Sequence, residues 1–96
     1  MLDKRAKNQI KKIIKRYLPS GNYKLFIFGS RVTGENQRFS DIDVGILGPE
    51  ALPGYIKVKI EEELENSRIP YKIDVVDFQR VTDEFRNLAL KKVSIL

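Results

Sequence analysis

The sequence predicts an α+β (α/β) fold, with helices packed on a short β-sheet in one domain spanning residues 1–96. Three observations carry this reading. Apolar residues recur at three- and four-residue spacing in two separate stretches, which is the helical period. Three other runs are rich in β-forming residues and are bounded by Gly, Pro, Asn or Ser. Ninety-six residues with 42% hydrophobic and 32% charged content match a globular domain near the lower end of what folds alone with a good core.

Leu2, Ala6, Ile10, Ile13, Ile14, Tyr17 and Leu18 place one apolar stripe on a helix over residues 2–18, which Pro19-Ser20-Gly21-Asn22 stops. Tyr23 to Phe28 is almost wholly apolar and suits a strand buried on both faces. Ser30 to Gly34 follows as one helical turn, and Glu35 to Ser40 as a polar connection. Asp41 to Leu47 is the second strand, ended by Gly48-Pro49. After a turn, Ile56, Ile60 and Leu64 mark the core stripe of a helix from Pro53 to Asn66. Tyr71 to Phe78 is the third strand. Thr82 as N-cap, with Asp83 and Glu84 in the first turn, starts a last helix through Lys92. The apolar tail Val93-Ser94-Ile95-Leu96 is left to pack on the body or on a partner.

The composition narrows the chemistry. There is no cysteine and no histidine, which removes disulfides, thiolate metal sites, serine triads and imidazole ligands. Acid–base or metal chemistry then falls to carboxylates, and carboxylate-only sites select hard cations such as Mg²⁺ or Mn²⁺. No run approaches the roughly 20 apolar residues needed to cross a bilayer, and the N-terminus lacks a signal peptide's apolar core. A cytoplasmic location with no membrane partner is expected. The net charge of +5 is uneven, because residues 1–24 carry eight Lys or Arg against one Asp. An anionic partner (nucleic acid, nucleotide or an acidic protein surface) would match that end, and a solvated helix face explains it equally.

The stretch that organises the chain runs from Phe28 to Asp43. The apolar run Leu25 to Phe28 stops at Gly29-Ser30, and ten residues later Asp41 and Asp43 stand one residue apart at the start of another strand. Side chains alternate along a strand, so Asp41 and Asp43 share one face while Ile42 and Val44 take the other. Their mutual repulsion and burial raise carboxylate pKa values, and a divalent cation between them relieves it. A pair of exposed aspartates at a strand start is the plainer alternative. Glycine lets backbone approach a phosphate closely, and N–H groups at a helix start point at anions. The Ser30 hydroxyl and the Arg31 guanidinium add donors. A Gly-Ser pair after a strand is by itself also an ordinary turn. Gly34 reads as a backbone requirement and Arg38 as a surface residue.

Gly29-Ser30, ten intervening residues and Asp41-Ile42-Asp43 resemble the signature of the DNA polymerase β-like nucleotidyltransferase superfamily. Arg31, Gly34 and Ser40 match further positions of its smallest members, the minimal nucleotidyltransferases. With background usage of about 5–7% per residue type, the four signature residues at this spacing arise by chance at roughly 1 in 10⁵ per start site. The resemblance spans essentially the whole chain. It implies a nucleotidyltransferase fold, a small mixed sheet of three to four strands flanked by about four helices.

It also implies roles. Gly29 and Ser30 would hold the β- and γ-phosphates of a nucleoside triphosphate, ATP by default, with Arg31 and Ser40 beside them. A third carboxylate is expected from a later strand, and the resemblance points to Ile73-Asp74-Val75-Val76. Asp74 stands in an otherwise apolar run, where an unpaired charge is costly to bury. Asp77, on the opposite face near the strand end, reads as a solvated or turn-capping residue. Asp41, Asp43 and Asp74 would hold two Mg²⁺ ions for in-line transfer of a nucleotidyl group with release of pyrophosphate.

The chain has no room for domains that grip a nucleic-acid acceptor, so direct nucleic-acid binding is not expected. Minimal nucleotidyltransferases are usually paired with a helical HEPN-type protein as antitoxins, and some transfer AMP to a tyrosine of that partner. The resemblance implies the same here. Nucleotide transfer to a small molecule and a non-catalytic nucleotide- or partner-binding subunit are the competing readings. The apolar tail and the stripe on the first helix leave room for a partner or a homodimer.

Overall fold

In the computed structural model, the residues described are 4–29 and 42–96. The expected helical turn at 30–34, and Ser30, Arg31, Gly34, Arg38, Ser40 and Asp41, lie outside them. The described elements run in the order α1 (Lys4–Lys15), β1 (Lys24–Phe28), β2 (Ile42–Leu47), α2 (Gly54–Glu65), β3 (Ile73–Asp77), α3 (Asp83–Ala89) and β4 (Ser94–Ile95). The strands form one sheet in the order β3-β2-β1-β4. β1 is antiparallel to both β2 and β4, and β2 is parallel to β3. The sheet is therefore mixed, as expected. A parallel pair needs a crossover, and the chain makes it through α2.

Strand alternation sorts the side chains into two layers. Leu25, Ile27, Ile42, Val44, Ile46 and Val75 point to one face and pack with Ile10, Ile13 and Ile14 of α1 and Ile60 and Leu64 of α2. These are the stripe positions read from the sequence, and burial of an aliphatic side chain of this size contributes about 1.5–3 kcal/mol. The opposite face carries Phe26, Phe28 and Phe78, joined by Val76, Val81, Ala89, Leu90 and Val93. Phe78 meets Phe26 and Phe28 edge-on, with ring centroids 4.9 and 5.2 Å away. Gly45 lies beneath this cluster, and a methyl there would run into the rings of Phe26 and Phe78. Only a glycine lets the rings sit down on the sheet.

The ends of several elements differ from expectation. α1 closes at Lys15, with Tyr17 N–H bonding the Ile14 carbonyl in a tight last turn; Tyr17 and Leu18 still pack on the core from outside the helix. The last helix does not reach Lys92. It ends at Ala89, because the chain must turn to bring Ser94 and Ile95 alongside β1 as a fourth strand. The tail thus packs on the body. The N-cap does fall at Thr82, whose hydroxyl accepts from the Phe85 N–H at 3.1 Å.

The connection from β2 to α2 is held to the end of β3. Leu52 is buried, its N–H bonds Asp77 Oδ2 at 2.7 Å, and its carbonyl accepts from Arg80 Nη2 at 2.8 Å. Asp77 Oδ1 also accepts from the Gln79 N–H at 2.9 Å. Asp77 is turn-capping, as one of the expected alternatives has it, but it is buried at 5% exposure rather than solvated. Its two backbone bonds and the Arg80 guanidinium at 3.7 Å satisfy the charge there. Arg86 completes the clamp by donating from both Nε and Nη2 to the Phe78 carbonyl, which ties α3 to the end of β3.

Candidate functional site

The site forms where the C-terminal end of β1 meets the N-terminal ends of β2 and β3. Phe28 is paired across the antiparallel ladder with Asp43. Asp43 is in turn the register partner of Asp74 on the parallel strand. Register partners share a face on adjacent strands, so two carboxylates from residues far apart in sequence stand side by side, about 4.8 Å apart in backbone spacing. Ile42 and Val44 are fully buried on the other face, which fixes the direction of Asp43. A slip of one residue would bury a carboxylate in the aliphatic core.

Gly29, directly after β1, has φ of 80°. That left-handed backbone favours glycine, and a methyl there would lie 2.5 Å from Asp43 Oδ2. Glycine therefore serves twice: it permits the sharp exit from the strand and leaves space against the carboxylate. Asp74 is half-exposed on the edge strand rather than sealed in the interior. The expected cost of burying its charge is correspondingly relieved by solvent, and its neighbour Asp43 is the more telling feature. Asp77 points to the other face and takes no part.

Among the described residues no group of three His, Cys, Asp or Glu side chains gathers to hold a metal; the pair is Asp43 and Asp74, and Asp41 lies outside the described residues. The donor set nevertheless suits a hard divalent cation: hard oxygen donors adjacent on one face, with a glycine-made recess at one of them. Ser30, Arg31 and Ser40 cannot be added to this geometry, since they too lie outside the described residues.

Two clefts flank the pair. One, of about 430 Å³, runs from Gly29 and Asp43 to α3, with Phe28, Phe85 and Leu88 among its walls and Lys92 at its rim. The other, of about 510 Å³, ends on Asp74 and lies between the end of α2 and the approach to β3, where Glu61, Glu65, Tyr71 and Lys72 line it. No sequence pattern announced either cleft, because each joins residues of elements whose neighbours are set only by the sheet order. The exposed spacing of Phe85 and Leu88 on a polar helix is the one trace that the sequence carries.

Residues 8–96 match the family model described as polymerase beta, nucleotidyltransferase. The chain is 29% identical over 87 residues to a protein of Haemophilus influenzae named "Probable protein adenylyltransferase MntA", covering 91% of this chain and 74% of that one. Among solved structures, a toxin–antitoxin with AMP-PNP superposes with a TM-score of 0.75 at 21% identity, over 92% of this chain and 69% of that chain. A tri-AMPylated HEPN toxin of Shewanella oneidensis in complex with an MNT antitoxin gives a TM-score of 0.73 at 17% identity, over 98% of this chain and 71% of that chain. At these identities the structural likeness establishes the fold.

Proposed function

Because the chain belongs to the polymerase beta nucleotidyltransferase family, we propose that it transfers AMP from ATP to a hydroxyl acceptor, a tyrosine of a HEPN-type partner, and so acts as the antitoxin of a toxin–antitoxin pair. The observation that carries this reading is the register that pairs Asp43 with Asp74 beside the left-handed Gly29. That is the arrangement a nucleotidyl transfer site needs: adjacent carboxylates next to a backbone turn with room for a phosphate. The names of the H. influenzae relative and of the S. oneidensis complex support the acceptor, and the AMP-PNP complex supports ATP.

In this reading residues 1–96 act as a single minimal nucleotidyltransferase domain in the cytoplasm. Asp41, Asp43 and Asp74 would hold Mg²⁺, or Mn²⁺ in its place. Bound there, the metal supplies charge neutralisation at the triphosphate and lowers the pKa of the attacking hydroxyl. Gly29 and Ser30 cradle the β- and γ-phosphates through backbone N–H groups and the hydroxyl, and Arg31 and Ser40 complete the proposed set of nucleotide-binding residues. Asp74, on the open edge of the sheet, faces the side from which an acceptor arrives. The chain's share of the rate is positioning and fixed charge rather than covalent chemistry.

The test is to incubate the protein with ATP labelled at the α-phosphate, Mg²⁺ and a HEPN-type partner. Label is expected on the partner and is expected to vanish with Asp43→Asn. Stable binding of the partner without transfer or metal affinity would refute the enzymatic reading and leave a binding subunit.

A further inference from the structure

The cleft between the sheet and α3 has chemistry of its own. Its floor is Gly29 and Asp43, so it opens directly off the turn and carboxylate just assigned to the triphosphate. Its walls are apolar: Phe28 on the sheet, Phe85, Leu88 and Ala89 on α3. Phe85 is 41% exposed and Leu88 69% exposed, large apolar groups facing water on a seven-residue helix whose other positions are polar or turned to the sheet. Phe85 is nevertheless held in place, its ring edge-on to Phe28 at 6.0 Å and tilted against Phe78 at 5.9 Å. A rigid aromatic wall at the mouth of a polar site is suited to a flat apolar face. The volume, about 430 Å³, lies within the roughly 300–1,000 Å³ of small-molecule sites.

We infer that this cleft seats the base of the donor nucleotide, against Phe28 of the sheet and Phe85 and Leu88 of α3. The inference rests on the nucleotidyltransferase reading and specifies where that site holds its donor. The opposite cleft is the poorer seat for a triphosphate-bearing molecule: among the described residues, Glu61, Glu65 and Asp74 line it against the one cation Lys72, and the excess of like charge disfavours the approach. That leaves the Asp74 side to the acceptor. Among the described residues that line the donor cleft, Asp43 and Lys92 are the charged ones and none carries a side-chain amide or hydroxyl. What these residues offer the base is stacking and burial. Two consequences follow for selectivity. Through these contacts purines bind tighter than pyrimidines because they offer more stacking surface, and the same contacts separate adenine from guanine only weakly.

The test is calorimetric and uses the full chain with Mg²⁺, titrated with AMP-PNP and separately with tripolyphosphate, which has the charge but no base. Phe85→Ala and the more exposed Leu88→Ser are compared with wild type. Each is expected to weaken AMP-PNP by about tenfold, the loss typical of a stacked base, and to leave tripolyphosphate within about twofold. Unchanged AMP-PNP affinity in both variants would overturn the inference, as would parallel loss of both ligands. Transfer to the partner falling while AMP-PNP affinity stays constant would overturn it in favour of the acceptor's ring. Wild type binding tripolyphosphate as tightly as AMP-PNP refutes the base seat alone; wild type binding neither refutes the nucleotidyltransferase reading beneath it.

Discussion

Gly29→Ala isolates the contact on which the site's geometry depends. An alanine held at φ of 80° pays about 1–2 kcal/mol for the left-handed backbone. Its methyl would also stand 2.5 Å from Asp43 Oδ2, with Cγ at 3.5 Å and Cβ at 3.7 Å. Only Oδ2, the far end of a half-exposed side chain, is closer than van der Waals contact, so the carboxylate turns aside at an off-rotamer cost of about 0.5–1.5 kcal/mol. The stiffer unfolded chain returns about 0.4–1 kcal/mol. A net loss of about 1–2 kcal/mol follows, and a domain of this size converts that to a drop of about 5–15 °C in Tm. In an Asp43→Ala background the crowding disappears and only the backbone strain remains. Urea unfolding of the four proteins of this cycle should give a coupling of about 0.5–1.5 kcal/mol. Equal costs of Gly29→Ala in both backgrounds would refute the contact, and a neutral Gly29→Ala would refute the backbone assignment as well.

Asp74→Asn is expected to weaken Mn²⁺ binding at least tenfold, followed by paramagnetic relaxation of water protons, while stability stays level or rises by about 0.2–1 kcal/mol as repulsion from the neighbouring carboxylate is lost. Asp77→Ala should do the reverse: the buried Leu52 N–H loses its acceptor, costing about 2–4 kcal/mol in urea unfolding, with Mn²⁺ affinity unchanged. Gly45→Ala should cost about 2–3 kcal/mol by overpacking Phe26 and Phe78, measured as a shift in urea midpoint at constant m. The Tyr17 phenol donates to Glu63 Oε1 at 3.0 Å, and this hydrogen bond foremost, then burial and the Glu63 charge, raises its pKa above the ordinary 10.0. The stabilisation it gives is complete below the unfolded pKa and is lost as pH climbs through the higher folded value. Tyr17→Phe should flatten that part of the alkaline stability profile.

Much of the fold could be read because its signals are local. The stripe of Ile10, Ile13 and Ile14, the runs at Leu25–Phe28 and Val44–Ile46, and the Thr82 cap each depend on a few residues of their own segment. Asp43 facing away from Ile42 and Val44 followed from alternation alone. What could not be read is tertiary. The family resemblance implied Asp74 as the partner of Asp43, but the spacing within either segment did not, since their adjacency is a matter of register between strands separated by α2. Ser94-Ile95 is too short to announce a strand, and it becomes one because β1 offers an edge. The end of α3 has no glycine or proline to mark it, since the pull of that strand sets it. Alternation set Asp77 apart from Asp74, but its burial could not be read, because it comes from the loop bearing Leu52 folding over it.

The parallel register of β2 and β3 also ties function to folding. In the unfolded chain Asp43 and Asp74 are separated by thirty residues and share nothing that would bind a cation together. Assembly of the sheet and assembly of the binding site are one event. A ligand that bridges the pair must then stabilise the native state by mass action, by about 2.7 kcal/mol at a hundredfold excess over its Kd. Under the function proposed above, the protein's resistance to unfolding rises with the supply of nucleotide and metal, making the native population itself a gauge of that ligand.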